Sequence, residues 1–354
     1  MLRRLKQITL STLRNVGAFR VASLTSWRRQ RLLILCYHGV ALDDEHDWRP
    51  GFFLTPETFQ KRMESLQREG CSVVSLEDGV KRLYSGDLPL KSVAITFDDG
   101  FYDFYEHAFP VLRKHRYPAT VYQTTYYTDH RFPVFNLILD YLFWRAGSRT
   151  LDGRPFGLDR SFDLSRTAET VDAFVGFSFE RNYSAAQKDQ LAANLAERLN
   201  IDYEALRRRR ILQLMSPEEI TEIAAAGIDI QLHTHRHRTP MDADLFAREI
   251  RENREAVRRY TGKGALHFCY PSGFYREEFA RWLRDEGVLS ATTCDAGFAS
   301  RSSNRLLLPR LLDTPGVSQT EFEGWLSGLC AFLPRRAASH WLEEPVPYWE
   351  SAPG

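Results

Sequence analysis

The chain of 354 residues has few cysteines and no long apolar run. Its five cysteines are odd in number and form no C-x-x-C pair, which argues against a disulfide framework and a zinc knuckle. No stretch approaches the ~20 consecutive apolar residues that span a bilayer. The net charge of +1 gives no reason to expect nucleic acid as a partner. What remains is a globular chain whose 43% hydrophobic content allows a large core.

Acidic side chains are absent from the beginning of the chain. Eight basic residues lie from Arg3 to Arg31, and the first acid is Asp43. The apolar run after Lys6 is short and interrupted by polar residues, so we predict no cleaved signal peptide. We interpret residues 1–30 as a basic amphipathic segment, either packed at the domain edge or lying on anionic lipid. The expected location is the cytoplasm, with peripheral contact at the inner face of the membrane as an alternative.

Short apolar runs rich in β-forming residues alternate with helical patterns. The runs are LLILCY (32–37), CSVVSL (71–76), SVAITF (92–97), ATVYQT (119–124), GIDIQL (227–232), ALHFCY (265–270) and VLSATTC (288–294). Thr55 and Pro56 mark the start of one intervening helix, and Gly70 marks its end. This alternation predicts an α/β fold with a largely parallel sheet, closed into a barrel or doubly wound. About seven strands favour the barrel.

The alternation stops over residues 130–215, which begin with an aromatic and apolar stretch and end in four arginines. We interpret this stretch as a helical insertion between two barrel units. The predicted organisation is therefore a basic N-terminal segment (1–30), a barrel with its insertion (31–315), and a C-terminal helix and tail (316–354).

The segment QLHTHRHRTP (231–240) places three histidines at alternate positions. In a strand, His233 and His235 share one face at a distance that suits one metal ion. In a helical turn, His233 and His237 converge instead, and His235 points aside. The residue pattern alone leaves both geometries open.

The segment SVAITFDDG (92–100) runs an apolar strand directly into two carboxylates. The carboxyl ends of parallel strands are where α/β folds build their sites. Asp98 and Asp99 point to opposite sides of an extended segment, so one can bind a metal ion while the other acts as a base. The alternative is a structural Asp-Asp-Gly turn. Two imidazoles and one carboxylate would make a catalytic metal site that leaves positions open for water and substrate.

Three motifs carry a resemblance to a known family. TFDDG, HTHRH and FCYPSG, in this order at strand ends, resemble the motifs of the polysaccharide deacetylases of carbohydrate esterase family four. ILCYHGV (34–40) is similar to the first strand of the branch that includes exopolysaccharide deacetylases. The resemblance runs from about Leu32 to Asp313, interrupted by the insertion. It implies a distorted, incomplete (β/α) barrel.

The resemblance also implies a role for each matching residue. The family's histidine motif falls on His233, Thr234 and His237, which favours the helical turn and makes His233 and His237 metal ligands. His235 is then either a bystander or a residue that supports the ligands from outside. Asp99 is the implied third ligand, and Asp98 is the implied base. The implied ion is a divalent metal, with Zn²⁺ expected first and Co²⁺, Ni²⁺ or Fe²⁺ also compatible with these ligands.

FCYPSG resembles the motif that forms one wall of the family's substrate groove. Tyr270 is implied to offer its backbone N–H to an oxyanion, while Pro271 and Gly273 shape the turn. The chain departs from the family here, because no arginine occupies this motif to orient the base. Arg310, at the end of another strand-like run, is the candidate for orienting Asp98. The alternative for Arg310 is a surface position.

A second departure concerns the histidine that protonates the leaving amine in the family. No histidine lies between His267 and His340, and the tail around His340 shows little resemblance. His38, at the end of the first predicted strand, is the candidate acid, with a hydrogen-bonding role as the alternative. Asp295 is only a weak match to the aspartate that tunes the family's histidine.

The implied reaction is hydrolysis of an N-acetyl group on an amino sugar of a polysaccharide, oligosaccharide or lipid-linked glycan. The expected partner is therefore an N-acetylated amino sugar and not a nucleic acid. Two alternatives stay open: an inactive sugar-binding protein on the same fold, and a deacetylase of another amide. The sequence predicts no particular oligomeric state.

Overall fold

The computed structural model describes residues 2–333, and the rest of the predicted tail (334–354), with His340, lies outside the described residues. The strands are β1 (Leu33–Tyr37), β2 (Gly39–Val40), β3 (Phe53–Leu54), β4 (Ser72–Val73), β5 (Ser92–Phe97), β6 (Thr120–Gln123), β7 (Thr150–Asp152), β8 (Ser161–Asp163), β9 (Asp229–Leu232), β10 (His267–Cys269), β11 (Ser290–Ala296) and β12 (Leu308–Leu312). The helices are α1 (Leu2–Asn15), α2 (Ala18–Leu24), α3 (Ser26–Arg29), α4 (Glu45–Trp48), α5 (Pro56–Arg68), α6 (Leu76–Ser85), α7 (Phe109–His115), α8 (Tyr126–His130), α9 (Phe135–Ala146), α10 (Thr167–Glu180), α11 (Ala185–Arg198), α12 (Tyr203–Arg208), α13 (Pro217–Ala225), α14 (Ala243–Thr261), α15 (Glu277–Asp285) and α16 (Gln319–Ser327).

Seven of these strands form the wall of a closed barrel. Their order is β1, β12, β11, β10, β9, β6 and β5, and all neighbouring pairs are parallel. The ring closes because β5 also pairs with β1, from Leu33 opposite Val93 to Tyr37 opposite Phe97. The predicted α/β barrel of about seven strands is therefore confirmed. It has one strand fewer than a complete (β/α) barrel of eight.

All seven predicted apolar runs contain strands, but one of these strands lies outside the ring. β4 pairs only with the start of β5, through Ser72 and Val73. β12 occupies the seventh position in the ring instead. β1 and β5 are buried along their whole length, as parallel strands are when helices cover both faces of the sheet.

The insertion lies between β6 and β9 and has an apolar core of its own. It contains α8 to α12 and also an antiparallel hairpin of β7 and β8, which the sequence did not predict. Phe143, Phe174 and Leu195 belong to this core, and so do Trp48 and Phe101 from outside the insertion. Because Phe101 follows the carboxyl end of β5, the insertion packs beside the mouth of the barrel.

The N-terminal helices pack on the barrel through α16. Lys6 Nζ lies 2.5 Å from Glu321 Oε1. Arg28 is fully buried and donates a hydrogen bond to the carbonyl oxygen of Ser92 at 3.2 Å. α3 therefore lies at the amino end of β5, the end opposite to the carboxylate pair. Within residues 2–333, no helix combines the length and the apolar content needed to cross a bilayer.

The carboxyl ends of the ring strands carry the polar side chains that the sequence singled out. Asp98 follows β5, His38 follows β1, His233 follows β9 and Tyr270 follows β10. All four line one cavity. They meet because the parallel strands of a barrel all end at the same face.

Candidate active site

Asp98 and Arg310 form an ion pair inside the barrel. Asp98 is 2% exposed and Arg310 is fully buried. Nη1 and Nη2 of the guanidinium donate to Oδ1 and Oδ2 of the carboxylate, both at 2.7 Å. Burial opposes a charged carboxylate, but the Arg310 guanidinium outweighs burial and holds the pKa of Asp98 well below its usual range. The surface alternative for Arg310 is wrong, and the side chain lies where it orients Asp98.

Thiols and a carbonyl group surround this ion pair. Arg310 Nε donates to the carbonyl oxygen of Thr293 at 2.9 Å. The Sγ atoms of Cys36 and Cys269 each lie 3.5 Å from Asp98 Oδ2. Burial raises the pKa of both thiols well above the usual value, so they stay protonated and act as weak hydrogen-bond donors. Asp98 is thus both charged and fixed in direction.

Asp99 points away from this pair, toward two histidines. Its Oδ1 lies 3.2 Å from Nε2 of His233 and 3.1 Å from Nε2 of His237. Within residues 2–333 this buried oxygen has no hydrogen bond of normal geometry, and the three ligand atoms lie within 4.8 Å of one another. Two imidazole nitrogens and a carboxylate oxygen suit zinc and other first-row divalent ions. These residues, called the ligand group below, therefore fit a metal ion.

A hydrogen bond at Nδ1 of His233 determines that Nε2 is the nitrogen available as a metal ligand. Nδ1 lies 2.9 Å from the carbonyl oxygen of Cys269. A carbonyl can only accept, so Nδ1 carries the proton and Nε2 presents its lone pair to the ligand group. This hydrogen bond also fixes the orientation of the ring.

Two other clusters of possible metal ligands share Asp98. They consist of Cys36, His38 and Asp98, and of Asp98, His233 and Cys269. Arg310 already occupies both oxygens of Asp98, and the buried thiols are protonated rather than thiolates. The ligand group around Asp99 is therefore the better metal site.

The loop after β9 brings His233 and His237 together without a helical turn. Thr234 and His237 both have left-handed backbone conformations, with φ of 60° and 54°. Thr234 Oγ1 accepts a hydrogen bond from the backbone N–H of Arg238 at 3.0 Å, which closes the loop. The helical-turn geometry is therefore wrong, although the pair of histidines that it favoured is the pair that converges.

His235 lies outside the ligand group. Its Nδ1 is 2.8 Å from the hydroxyl oxygen of Thr125, and its Nε2 is 4.0 Å from Glu252. The strand geometry, which paired His235 with His233, does not occur in this loop. His235 instead ties the loop to the start of the insertion.

Helix α14 supplies two buried polar residues that the sequence analysis missed. Glu249 accepts hydrogen bonds from the backbone N–H of Arg236 (2.8 Å) and from Nε of Arg238 (2.7 Å). Asn253 accepts one from the backbone N–H of His233 at 2.9 Å. Both residues hold the histidine loop in place. The sequence could have indicated them, because they are polar residues four positions apart on the otherwise apolar face of an amphipathic helix.

The turn after β10 has the predicted shape, but one of its donors is already in use. Pro271 and Gly273 bound a 3₁₀ turn, and Gly273 has φ of 68°. The backbone N–H of Tyr270 donates to the carbonyl oxygen of Thr292 at 3.3 Å. This N–H therefore already has an acceptor in the sheet, and the oxyanion role implied for it stays a prediction.

His38 reaches the same cavity from β1. Its Nε2 lies 3.8 Å from Oδ2 of Asp98, and its ring packs edge-on against Phe52. Burial lowers the pKa of His38, although the Asp98 carboxylate opposes this effect. Asp295 makes no contact with His38; its carboxylate accepts a hydrogen bond from the hydroxyl of Tyr275 at 3.0 Å.

The cavity that joins these groups has a volume of about 630 Å³. His38, Asp98 and the ligand group line it, and so do side chains of the insertion. A volume in the ~300–1,000 Å³ range is typical of sites for small molecules. The cavity can therefore hold more than an acetyl group beside the two carboxylates.

The geometry predicts that His237 and His235 differ as metal ligands. We expect His237→Ala to weaken Zn²⁺ or Co²⁺ binding by more than the ~10–100-fold that loss of an outer partner costs, because one of three ligands is removed. His235→Ala is the matched comparison and should weaken binding by less, because its ring supports the loop but is not a ligand. Titration calorimetry and the visible absorption of Co²⁺ measure both. Equal losses in the two variants would contradict the assignment.

Comparisons with known proteins show which family the chain resembles in sequence and in fold. A family model described as Polysaccharide deacetylase matches residues 85–290. The poly-beta-1,6-N-acetyl-D-glucosamine N-deacetylase of Staphylococcus epidermidis is 32% identical over 74 residues, which cover 21% of this chain and 26% of that protein. YxkH of Bacillus subtilis is 19% identical over 302 residues, covering 84% of this chain and 77% of YxkH. The match to the first of these relatives thus spans about a quarter of its length.

A solved structure extends the likeness to three dimensions. The Streptococcus pyogenes deacetylase PplD, in complex with acetate, has a TM-score of 0.56 and 19% sequence identity, and the match covers 86% of this chain and 99% of PplD. At that identity the likeness shows the fold alone. The family model, in contrast, covers more than half of the chain. With three ordered motifs whose side chains meet in one cavity, this chain belongs to the polysaccharide deacetylase family.

Proposed function

We propose that the protein hydrolyses the N-acetyl group of an amino sugar in a glycan, using a divalent metal ion held by the ligand group. The observation that carries this proposal is that two neighbouring carboxylates have different partners. Asp98 is hydrogen-bonded to Arg310, whereas Asp99 lies next to the imidazoles of His233 and His237. Zn²⁺ is the ion that we expect. The name of the Staphylococcus epidermidis relative makes β-1,6-linked N-acetylglucosamine the first substrate to test.

The ion would supply Lewis acidity, which polarises an acetyl carbonyl and makes water more acidic. Asp98 would take the proton from the attacking water. Its low pKa keeps it ionised across the neutral range but also makes it a weak base. Asp98 can therefore remove a proton effectively only from water whose pKa the ion has lowered. This requires Asp98 to lie next to the ligand group.

His38 would return a proton to the nitrogen as the C–N bond breaks. Burial keeps its ring neutral near pH 7. It must therefore receive the proton that it donates, and Oδ2 of Asp98 lies 3.8 Å from its Nε2. A proton taken from water by Asp98 would thus pass to His38 and then to the amine, leaving acetate and a free amino sugar.

Asp98→Asn tests the role of the base. We expect kcat for acetate release from β-1,6-linked N-acetylglucosamine oligomers to fall by about 100- to 10,000-fold, because the general base is lost. Zn²⁺ binding should persist in this variant but should weaken in Asp99→Asn. Asp295→Asn, at an exposed carboxylate outside the ligand group, is the control that should keep its activity. Activity retained by Asp98→Asn would exclude Asp98 as the base.

Arg310→Lys tests the orientation of Asp98. Lysine keeps the charge but loses the two-pronged contact, so we expect kcat to fall by about 100-fold. Weaker pairing raises the pKa of Asp98 toward its usual value. Because activity requires ionised Asp98, the acid limb of the kcat/KM profile should move to higher pH. Arg305→Lys, an exposed arginine near the same strand, is the control. A rate and a pH profile equal to those of the control would contradict the role of Arg310.

A further inference from the structure

The cavity continues beyond the two carboxylates into a region that the insertion builds. We call this region the apolar lobe. It is lined by Val134, Leu137, Val175 and Phe179 of the insertion, together with Phe52 and Leu214. Except for Leu214, these side chains are half-buried, so they present apolar surface to the cavity after packing on the insertion core.

Ser178 and Arg49, two of the polar residues that line the cavity beside the apolar lobe, are engaged with the protein. The hydroxyl of Ser178 donates to the carbonyl oxygen of Val175 at 2.7 Å. The guanidinium of Arg49 binds Asp140 at 2.6 Å and stacks over Trp48 at 4.7 Å. A sugar ring deep in the lobe would place its hydroxyl groups against aliphatic and aromatic side chains, which is unfavourable without hydrogen-bond partners. An aliphatic chain would gain free energy there, because its apolar surface leaves water.

Lys188 on α11 lines the same cavity and is half-buried. In the described part of the chain, no carboxylate lies within ion-pair distance of its ammonium group. Burial lowers the pKa of this ammonium. A cation among apolar side chains without an acidic partner favours a ligand that brings its own negative charge.

We propose that the apolar lobe binds an aliphatic chain and that Lys188 binds a phosphate next to that chain. The substrate class is then an N-acetylated amino sugar joined to a lipid through a phosphodiester. This inference rests on the proposed function, because the acetyl group must reach Asp98 while the chain occupies the insertion. A water-soluble polymer would gain nothing from the lobe.

Binding to metal-free protein tests the lobe without using activity. The probes are N-acetylglucosamine 1-phosphate, its decyl phosphodiester and neutral decyl N-acetylglucosaminide, each below its critical micelle concentration. Each CH₂ group that is buried tightens binding by about fourfold. We therefore expect the decyl phosphodiester to bind about 100-fold or more tightly than the sugar phosphate. A negative heat-capacity change in calorimetry would mark the buried apolar surface.

Matched variants locate the binding site. Val175→Asn should weaken binding of both decyl compounds by about tenfold, whereas Val171→Asn, one turn earlier on α10 and outside the cavity, should not. Lys188→Met should weaken binding of the phosphodiester by about tenfold and leave the neutral glycoside unchanged, and Lys188→Arg should restore it. Thermal unfolding of each variant checks that the fold is retained.

The outcomes separate this inference from the proposed function. If the decyl chain adds no affinity, or if Val175→Asn binds as tightly as Val171→Asn, the lobe is not a chain-binding site. With Zn²⁺ added, acetate release from oligomers without any advantage for the decyl compounds would refute the inference and leave the proposed function standing. Tight decyl binding without acetate release from any probe would refute the proposed function, and with it the assigned substrate class, and would leave only the chain-binding site standing.

Discussion

The buried ion pair between Asp98 and Arg310 is the interaction on which the rest of the site depends. Either charge alone in this position would be destabilising by several kcal/mol, so the two side chains require each other. Asp98 follows β5 and Arg310 lies on β12, and both strands neighbour β1 in the ring. The pair therefore links three strands at their carboxyl ends. The pair also fixes the position of Asp98, directly after which the chain turns toward the ligand group.

The turn after this point sends the two adjacent carboxylates to different partners. Asp99 and Gly100 both have left-handed backbone conformations, with φ of 68° and 83°. A Cβ atom at Gly100 would collide with the side-chain amide of the buried Gln123, and the positive φ also favours glycine. The turn leaves Asp98 facing Arg310 and carries Asp99 to the histidines. A single Asp-Asp-Gly sequence thus separates the carboxylate that faces Arg310 from the one that faces the two histidines.

Much of the barrel was predictable because of how its strands are buried. Parallel strands covered on both sides appear as uninterrupted apolar runs, which is why β1 and β5 were recognisable. Asp98 and Asp99 stood out because they follow such a run. The residue pattern alone could not choose between His235 and His237, and the family resemblance made that choice.

The features that the sequence did not predict depend on contacts between residues distant in the chain. The left-handed conformation at Thr234 is held by a loop that α14 anchors through Glu249 and Asn253. Arg310 is buried because Asp98, more than 200 residues earlier, neutralises it. The N–H of Tyr270 is engaged because β10 pairs with β11. No local pattern encodes these pairings.

The most direct test of the account is the anomalous scattering of crystals grown with Zn²⁺, recorded on both sides of the zinc absorption edge. The account predicts one zinc peak within ~2.0–2.2 Å of Asp99, His233 and His237, with Asp98 still bound to Arg310. A zinc peak coordinated by Asp98 together with Cys269 or Cys36 would contradict the assignment of Asp99, and not Asp98, as the metal ligand.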